Sequence, residues 1–311
     1  MGERYAYFQK QIVPLAEAKV SVMTHAFNYG TACFEGIRGN WNERRQQLFM
    51  FRVRDHYERL HRSCKILQIK LPYSVDELVD LTVKVVSAAG FHEDVYVRPI
   101  AYKSGEIVGV RLHDIPDDFL IFVTEFGAYL DFTRGIHCGT SSWRRVDDLG
   151  IPARAKITGI YVNSALAKSE AILSGFDEAI MLTHDGHVSE GSGENIFIVE
   201  RGRLITPPPS DNILVGITAA TVRQIAREEL GIETTERQID RSELYIADEI
   251  FLTGTAAHVS PVSMVDHRAI GTGEVGPITA KLQERYFAIA CGDVDEYSSW
   301  LTPGLTRLVR S

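Results

Sequence analysis

The amino-acid sequence predicts an α+β fold, because strand-like segments are many and helical ones are few. Short runs with strand character occur along the whole chain, while only a few stretches show the apolar period of a helix. The strands follow one another with few crossover helices, unlike the regular alternation of a doubly wound parallel sheet. A chain of 311 residues, 45% hydrophobic and 24% charged, is long enough for two globular domains.

The first part of the chain predicts a sheet with two helices. Apolar residues at spacings of four and three indicate a helix over 53–67. Ser74 and Glu77 have the spacing of a capping box, and a second helix runs from there to Gly90. The predicted strands lie at 5–14 (two strands with a tight turn), at the end of 27–38, which begins as a loop, and at 48–51, 95–102 and 119–126.

The second part is richer in strands. Asp185–Gly186 marks the turn of a hairpin, and Gly216 and Gly231 mark the start and stop of a helix. A last helix begins at Pro277, since proline is favoured in the first helical turn. The predicted strands lie at 178–183, from 187 onward, and at 195–199, 203–206 and 249–253. We therefore predict a first domain over 1–126, a connection over 127–136 and a second domain over 137–311.

Charge and composition exclude several classes of function. The net charge of −8 gives no basic surface for nucleic acid. No apolar run is long enough to span a membrane, and the N-terminus lacks an apolar signal region, so we expect no membrane partner. The four cysteines are scattered, which favours reduced thiols and a cytoplasmic location. The ten histidines form no cluster, so we predict no metal site.

The stretch 189–199, SEGSGENIFIV, is the most informative part of the sequence. Glu190 and Glu194 lie four residues apart, with Gly191 and Gly193 between them, and a buried strand follows. The glycines indicate irregular backbone packed close to another group. Such a turn can aim one carboxylate at a ligand, but a bulged hairpin with solvated acids has the same pattern.

This stretch resembles the signature of class IV aminotransferases, the pyridoxal phosphate enzymes of fold type IV. The rest of the chain is similar to one branch of that family, the branched-chain amino acid aminotransferases. The resemblance covers nearly the whole chain, in the order that the family has. The matching segments are NYGTACFEGIR at 28–38, HYERLH at 56–61, YVRPI at 96–100, FGAYL at 126–130, AKITGIY at 155–161, VGIT at 215–218 and TGTAA at 253–257.

The resemblance implies a fold, an activity and an assembly. The fold is a small N-terminal α/β sandwich domain followed by a larger C-terminal pseudo-barrel domain that binds pyridoxal 5′-phosphate. The activity is transamination between leucine, isoleucine or valine and 2-oxoglutarate. The assembly is a homodimer or a higher homo-oligomer, in which the loops around Tyr29 and over 103–118 approach the pocket of the partner. A loop as long as 103–118 is usually functional.

The resemblance also implies roles for the cofactor-binding residues. Lys156 matches the lysine that forms the Schiff base with the cofactor aldehyde and shuttles a proton, although most lysines are surface charges. Glu190 matches the carboxylate that pairs with the pyridine nitrogen. Tyr161 matches the tyrosine that hydrogen-bonds the phenolate oxygen, and Arg59 the arginine that reaches the phosphate, although arginines in such a helical position are mostly solvated. The remaining predicted cofactor-binding residues are Gly193, Ile217, Thr218 and Thr255. Glu194 and Asn195 are interpreted as structural.

Arg98 is the key residue on the substrate side. It interrupts the apolar strand VYVRPIAY, and a buried arginine needs an anion, either a structural acid or a ligand carboxylate. In the family this position meets the side-chain carboxylate of glutamate. The residues that match the walls of the substrate pocket are Tyr29, Phe34, Gly36, Tyr96, Phe126 and Tyr129, and those that match the binding site of the α-carboxylate are Thr255, Ala256 and Ala257.

Two departures from the family concern substrate preference. Phe126 stands where many members have tryptophan, and the loop at 144–150 is rich in charge. A D-amino acid aminotransferase, an (R)-selective amine transaminase and an aminodeoxychorismate lyase share the fold and remain alternatives. A non-catalytic binding protein on this fold is a further alternative. The segments NYGTACFEGIR and YVRPI favour the branched-chain enzymes, because the relatives differ mainly in this half.

Overall fold

The computed structural model of the chain describes residues 4–127 and 134–305. The chain forms two compact units, of which the first contains Met1–Gly127, Ala155–Gly159 and Ala288–Ser311. The second contains Ala128–Arg154 and Ile160–Phe287. The domain limits at 126 and 137 stay a prediction, and the connection over 127–136 falls largely outside the described residues. The sequence pattern does not predict that Ala155–Gly159 and Ala288–Ser311 belong to the first unit.

The elements of secondary structure alternate between strands and helices in an irregular order. The strands are β1 (Tyr5–Phe8), β2 (Gln11–Pro14), β3 (Ala32–Phe34), β4 (Ile37–Asn42), β5 (Gln47–Phe51), β6 (Val95–Lys103), β7 (Asp117–Glu125), β8 (Ile136–Arg144), β9 (Glu178–Leu182), β10 (Val188–Gly191), β11 (Asn195–Glu200), β12 (Arg203–Thr206), β13 (Thr234–Glu236), β14 (Glu249–Gly254), β15 (His258–Val265), β16 (Arg268–Ala269) and β17 (Leu301–Pro303). The α-helices are α1 (His25–Tyr29), α2 (Val53–Ile66), α3 (Val75–Ala89), α4 (Tyr161–Leu173), α5 (Ile217–Leu230) and α6 (Pro277–Ala290). Short 3₁₀ helices lie at Leu15–Glu17, Thr158–Ile160, Pro209–Asp211, Arg241–Tyr245 and Asp295–Trp300.

The first unit is built on an antiparallel sheet with the strand order β17-β5-β4-β6-β7-β1-β2, and β3 pairs with β6. Its longest pairing joins β6 and β7, in a register that runs from Val95 opposite Glu125 to Lys103 opposite Asp117. Helices α2 and α3 contact each other, and α3 packs on β1 and β7. The core of this unit is apolar and fully buried, with Tyr57 among its largest side chains.

The helix signals in the first unit are confirmed. Ser74 and Glu77 form a capping box at the start of α3, which ends at Gly90 in the left-handed conformation. The helix predicted over 53–67 is α2. The loop predicted from Phe27 is wrong at its start, because the short helix α1 covers His25–Tyr29. Five residues are too few to show a helical period in the sequence.

The second unit contains a mixed sheet with the order β10-β9-β8-β15-β14-β11-β12-β13, and β16 pairs with β15. Strand β8 pairs in parallel with β9 and β15, and α4 forms the crossover between β8 and β9. Helix α4 has no clear apolar stripe in the sequence. Two of its apolar residues, Val162 and Leu173, are 66% and 87% exposed in the structure, so they do not mark a buried face. This exposure explains why the sequence does not predict α4. The second unit thus has many strands and few crossover helices, which agrees with the α+β prediction.

Candidate active site

The main chain of Lys156 is held by two elements of the first unit. Its N–H donates to Ser63 Oγ of α2 at 3.1 Å, and its carbonyl oxygen accepts from the N–H of Phe34 in β3 at 3.0 Å. The Nζ atom lies 5.1 Å from the centroid of the Phe34 ring. Lys156 belongs to no helix or strand, so the sequence shows no period here. Its neighbours nevertheless fix its position.

A close approach of two glycines lies beside the lysine. The carbonyl oxygen of Gly30 accepts from Gly159 N at 3.2 Å and from Thr158 Oγ1 at 2.8 Å. Gly30 has a φ of +67°, and a Cβ on it would lie 2.8 Å from Gly159 Cα. Both the backbone conformation and the space therefore require glycine at position 30.

Arg59 is not solvated, because it forms a buried ion pair with Glu35. Its Nε and Nη2 donate to Glu35 Oε1 and Oε2, both at 2.7 Å, and His56 Nδ1 lies 2.7 Å from Glu35 Oε2. Burial alone would raise the pKa of Glu35, but the charge and hydrogen bonds of Arg59, and then those of His56, outweigh it and hold that pKa well below its usual range. Burial is the main cause that lowers the pKa of His56, and the charges of Arg59 and Lys156 add to it.

Neither Glu35 nor His56 is among the residues predicted from the sequence. A signal for Glu35 exists, since it is a single charged residue in the apolar run ACFEGI. Like Arg98 in its strand, this acid interrupts an apolar segment and therefore needs a partner of opposite charge. No such signal exists for His56, whose helix position is not unusual.

Arg98 lies among aromatic rings of the first unit. Its guanidinium is 4.4 Å from the ring centroid of Phe34 and 5.0 Å from that of Tyr96, and its Nη2 donates to the Tyr96 hydroxyl at 2.9 Å. Among the described residues, Arg98 is paired with no carboxylate, and its buried Nε has no hydrogen-bond partner. The structural alternative for Arg98, a fixed acid partner, is therefore absent from the described part of the chain.

The predicted pocket walls are brought together only in part. The rings of Tyr96 and Phe126 lie 5.0 Å apart, and a Cβ on Gly36 would come within 1.9 Å of the Tyr96 hydroxyl. Gly36 is therefore the residue that leaves room for this tyrosine. Tyr29 makes other contacts, with the His25 ring at 4.7 Å and as acceptor from Gly109 N at 3.1 Å. Tyr129 lies outside the described residues.

Glu190 lies in β10 of the second unit and is held from three sides. Its Oε1 is 2.8 Å from Arg145 Nη2, and its Oε2 accepts from Asn195 Nδ2 and from Leu214 N, both at 3.1 Å. Arg145 also donates to Ser164 Oγ at 3.4 Å. Arg145 stabilises the negative charge of the carboxylate, and the other donors fix its orientation. Arg145 is not among the residues predicted from the sequence, although it lies in the charged loop at 144–150.

Glu194 has a different environment, although it shares a turn with Glu190. Its Oε2 accepts from Gly193 N at 3.0 Å, and its carbonyl oxygen accepts from Gly191 N at 2.7 Å. Burial, followed by the charge of Glu178, raises the pKa of Glu194 to about 8, although the hydrogen bond from Gly193 acts in the opposite direction. Of these two acids, Glu190 is paired with an arginine, whereas Glu194 is mostly protonated at neutral pH.

Glu194 gives a testable dependence of stability on pH. Because its pKa is higher in the folded chain than in the unfolded chain, the folded chain retains a proton that the unfolded chain releases above about pH 4.5. The free energy of unfolding of the wild type should therefore fall, relative to that of Glu194→Gln, between about pH 5 and pH 8, by about 1.4 kcal/mol per unit of pKa difference. Urea unfolding at several pH values measures this, and a difference that does not vary with pH would contradict the prediction.

Two further features of the second unit adjoin this turn. Gly216 caps the N-terminus of α5, and a Cβ on it would lie 1.9 Å from Asn195 Oδ1. A Cβ on Gly254 would lie 3.5 Å from the carbonyl oxygen of Gly193. The start of α5 and the turn after β14 therefore lie next to the turn that carries the two acids. The predicted residues at these two places are Ile217, Thr218, Thr255, Ala256 and Ala257. Tyr161 is the first residue of α4.

The comparison with known proteins identifies the family. Residues 32–265 match the sequence model of "Amino-transferase class IV". The chain belongs to the class IV aminotransferases. It is 52% identical over 299 residues to a probable branched-chain-amino-acid aminotransferase of Aquifex aeolicus, with 96% of each chain covered. It is 38% identical over 301 residues to the branched-chain-amino-acid aminotransferase of Escherichia coli K12, again with 96% of each covered.

Solved structures give the same result. The branched-chain aminotransferase of Thermoproteus uzoniensis with norvaline superposes with a TM-score of 0.93 at 46% identity, covering 97% of this chain and 100% of that one. The branched-chain amino acid aminotransferase of Thermobaculum terrenum in its PLP-form also has a TM-score of 0.93, at 37% identity, covering 98% and 99%. The family, the fold type and the aminotransferase activity predicted from the motifs are confirmed.

Two other features are absent from the described residues. In the described ranges, no group of His, Cys, Asp or Glu side chains could hold a metal ion. No helix of 4–127 or 134–305 has the length and apolar character needed to cross a membrane.

Proposed function

We propose that the chain transfers amino groups between L-leucine, L-isoleucine or L-valine and 2-oxoglutarate, with pyridoxal 5′-phosphate as cofactor. The products are the branched-chain 2-oxo acids and L-glutamate. The observation that carries the proposal is the position of Arg98 on the rings of Phe34 and Tyr96. Aromatic rings accept an aliphatic side chain, and a guanidinium accepts the side-chain carboxylate of glutamate. One wall therefore suits the amino acids of both half-reactions.

The residues of the chain fit the demands of this cofactor. When bound, pyridoxal phosphate withdraws electrons from the substrate α-carbon, which makes the α-proton acidic. Lys156 would supply the amine that holds the cofactor and, once the substrate amine has displaced it, the free base that moves the α-proton of the substrate. Glu190 supplies the carboxylate for the pyridine nitrogen. Its bonds to Arg145 and Asn195 support this role, because they keep it charged and fixed.

The phosphate and the substrate α-carboxylate need hydrogen-bond donors. We assign the phosphate to Arg59 and to the first turn of α5, where the amides of Ile217 and Thr218 have no acceptor within the helix. The remaining assigned roles are the phenolate oxygen for Tyr161, cofactor contacts for Gly193 and Thr255, the α-carboxylate for Thr255, Ala256 and Ala257, and pocket walls for Tyr29, Gly36, Phe126 and Tyr129.

The substitution Arg98→Ala tests whether this wall of the pocket binds both types of substrate. It should weaken turnover of glutamate and 2-oxoglutarate roughly ten- to hundred-fold in kcat/KM, because a charge-assisted contact of about 1.5–3 kcal/mol is lost. Leucine should change much less, since its side chain meets rings. Stopped-flow measurement of the two half-reactions separates these effects. Equal losses for leucine and glutamate in a folded variant would show that Arg98 has a structural role instead.

A substrate panel separates this activity from the other reactions of the fold. We expect turnover of branched-chain L-amino acids with 2-oxoglutarate, and little turnover of D-amino acids or (R)-amines. Preferential use of a D-amino acid or an (R)-amine would reject the proposed substrate class. A non-catalytic binding protein would lack the absorbance of a lysine-bound cofactor, which borohydride removes.

We also infer a homodimer or a larger homo-oligomer, from an exposed apolar surface of the first unit. The surface is formed by Phe27, Val108 and Val110, which are 70%, 88% and 80% exposed. His25 Nε2 lies 2.7 Å from the carbonyl oxygen of Gly109, so α1 and the loop at 103–118 are joined. An exposed apolar surface of this kind, on segments held together by a hydrogen bond, is typical of a protein–protein interface.

The substitution Phe27→Asp should favour the monomer, because it places a charge on that surface. Sedimentation velocity measures the change. Leu149→Asp is a matched control, since Leu149 is 100% exposed and lies in the second unit. A monomeric wild type at assay concentration would contradict the inference.

The cysteines support a reducing compartment, and we infer the cytoplasm. All four are free, and Cys33, Cys64 and Cys138 are buried. Mass spectrometry of thiols alkylated in intact cells would test this, and finding them oxidised would contradict it.

A further inference from the structure

Glu35 is a buried acid with three strong contacts and no role in the reaction as described so far. It follows β3, its exposed fraction is 0%, and its N–H donates to the carbonyl oxygen of Pro99 at 3.0 Å. Both carboxylate oxygens bond Arg59, and one of them also meets His56. Arg59 and His56 lie three residues apart on α2, hence on the same helix face.

Fold stability alone does not account for this ion pair. Replacing a buried ion pair by apolar side chains of similar volume is often neutral or even stabilising, whereas removing one partner is costly. What the pair supplies is geometry, because a bidentate contact with a carboxylate fixes the plane of a guanidinium. Glu35 therefore fixes the orientation of the Arg59 guanidinium.

The same two elements also hold the lysine. Glu35 directly follows Phe34, whose N–H bonds the carbonyl oxygen of Lys156, and Ser63, which bonds the N–H of Lys156, lies four residues after Arg59 on α2. The Glu35 contacts thus join the end of β3 to α2 at one place, and the main chain of Lys156 bridges β3 and α2 at another. A shift of β3 against α2 would move Arg59 and Lys156 together.

We propose that Glu35 is a positioning residue that fixes both Arg59 and Lys156 for the cofactor, through its bidentate bond to Arg59 and its contact with His56. The proposal rests on the cofactor roles proposed above for Arg59 and Lys156. In this role Glu35 acts through the arginine and through the junction of β3 with α2.

The test is the affinity of the apoprotein for pyridoxal phosphate in Glu35→Gln. Glutamine has nearly the same shape, but it offers one acceptor oxygen in place of two and carries no charge. We expect the Kd to rise about ten- to hundred-fold, the range typical of removing a residue that orients a metal-ligating side chain. The pH at which the visible absorbance of the lysine-bound cofactor changes should move down, because loss of a nearby anion disfavours a protonated lysine nitrogen.

Glu249→Gln is the matched control. Glu249 is another buried acid, and its carboxylate accepts from Ile278 N at 3.0 Å and from Thr279 N at 2.7 Å at the start of α6, away from Arg59 and Lys156 in the hydrogen-bond pattern. The substitution should lower the thermal midpoint and leave unchanged both the Kd and the pH at which the absorbance changes. If Glu35→Gln does not fold, Glu35→Asp replaces it, since its shorter side chain keeps the charge but cannot reach both Arg59 and His56 in the same way.

Arg59→Met separates the two hypotheses. A normal Kd in Arg59→Met would reject the phosphate role of Arg59, and with it the basis of this inference. A different result would overturn the role of Glu35 alone. In that result, Arg59→Met raises the Kd, whereas Glu35→Gln or Glu35→Asp keeps the wild-type Kd and the wild-type pH of the absorbance change. If Glu35 acts through Arg59, the effect of Glu35→Gln on the Kd should largely disappear when Arg59 is already methionine.

Discussion

Replacing Lys156 with alanine should abolish transamination, with a loss of at least about four decades in rate. One amine performs two tasks in our proposal, the covalent attachment of the cofactor and the transfer of the α-proton, and alanine can perform neither. The main-chain bonds of residue 156 to Ser63 and Phe34 do not involve the side chain, so the variant should still fold.

Single-turnover kinetics of both half-reactions measure this loss. The control is Lys65→Ala, which removes an exposed lysine of α2 and should leave the rates unchanged. The visible absorbance that borohydride removes should be absent from Lys156→Ala alone. Turnover by a purified Lys156→Ala protein at the wild-type rate would reject the assignment of this lysine.

Glu190→Gln should slow both half-reactions by about two to three decades while the cofactor still binds. Glutamine can accept the hydrogen bonds from Asn195 and Leu214, but it cannot balance a positive charge on the pyridine ring. The lost stabilisation of charge in the transition state is on the order of a few kcal/mol. Arg145 would also lose its anion, and this loss should lower the thermal midpoint.

The other acid of the same turn is the natural control. Glu194 has a pKa raised to about 8, so near pH 7 its replacement by glutamine removes little charge. We expect Glu194→Gln to retain most of the activity. Similar losses in the two variants would mean that the turn as a whole, rather than the carboxylate of Glu190, supports the reaction.

Local signals in the sequence predict the parts of the fold that depend on nearby residues. The capping box at Ser74 and the stop at Gly90 are of this kind, and both are confirmed. Helix α1 is too short to show a period, and α4 keeps apolar residues in contact with solvent, so neither is visible in the sequence. Local pattern fails where an element is short or where tertiary contacts decide its orientation.

The same difference between local and distant contacts applies to the candidate site. Motifs name the residues proposed for direct contact with the cofactor, such as Lys156 and Glu190. They do not name the partners that hold those residues, because the pairs are formed by residues far apart in sequence. Glu35 precedes Arg59 by 24 residues, and Arg145 lies in a different element from Glu190. Charge within an apolar run is a usable signal for such partners, and Glu35 shows it.

The contact of Gly30 with Gly159 has a consequence for dilute enzyme. Gly30 directly follows α1, which carries Phe27 of the proposed subunit interface, and its carbonyl oxygen bonds Thr158 and Gly159, shortly after Lys156. In the homo-oligomer proposed above, loss of the partner subunit would free α1, and the disturbance would reach the lysine through the carbonyl group of Gly30. Diluting the holoenzyme until its subunits separate should therefore release the cofactor in step with dissociation.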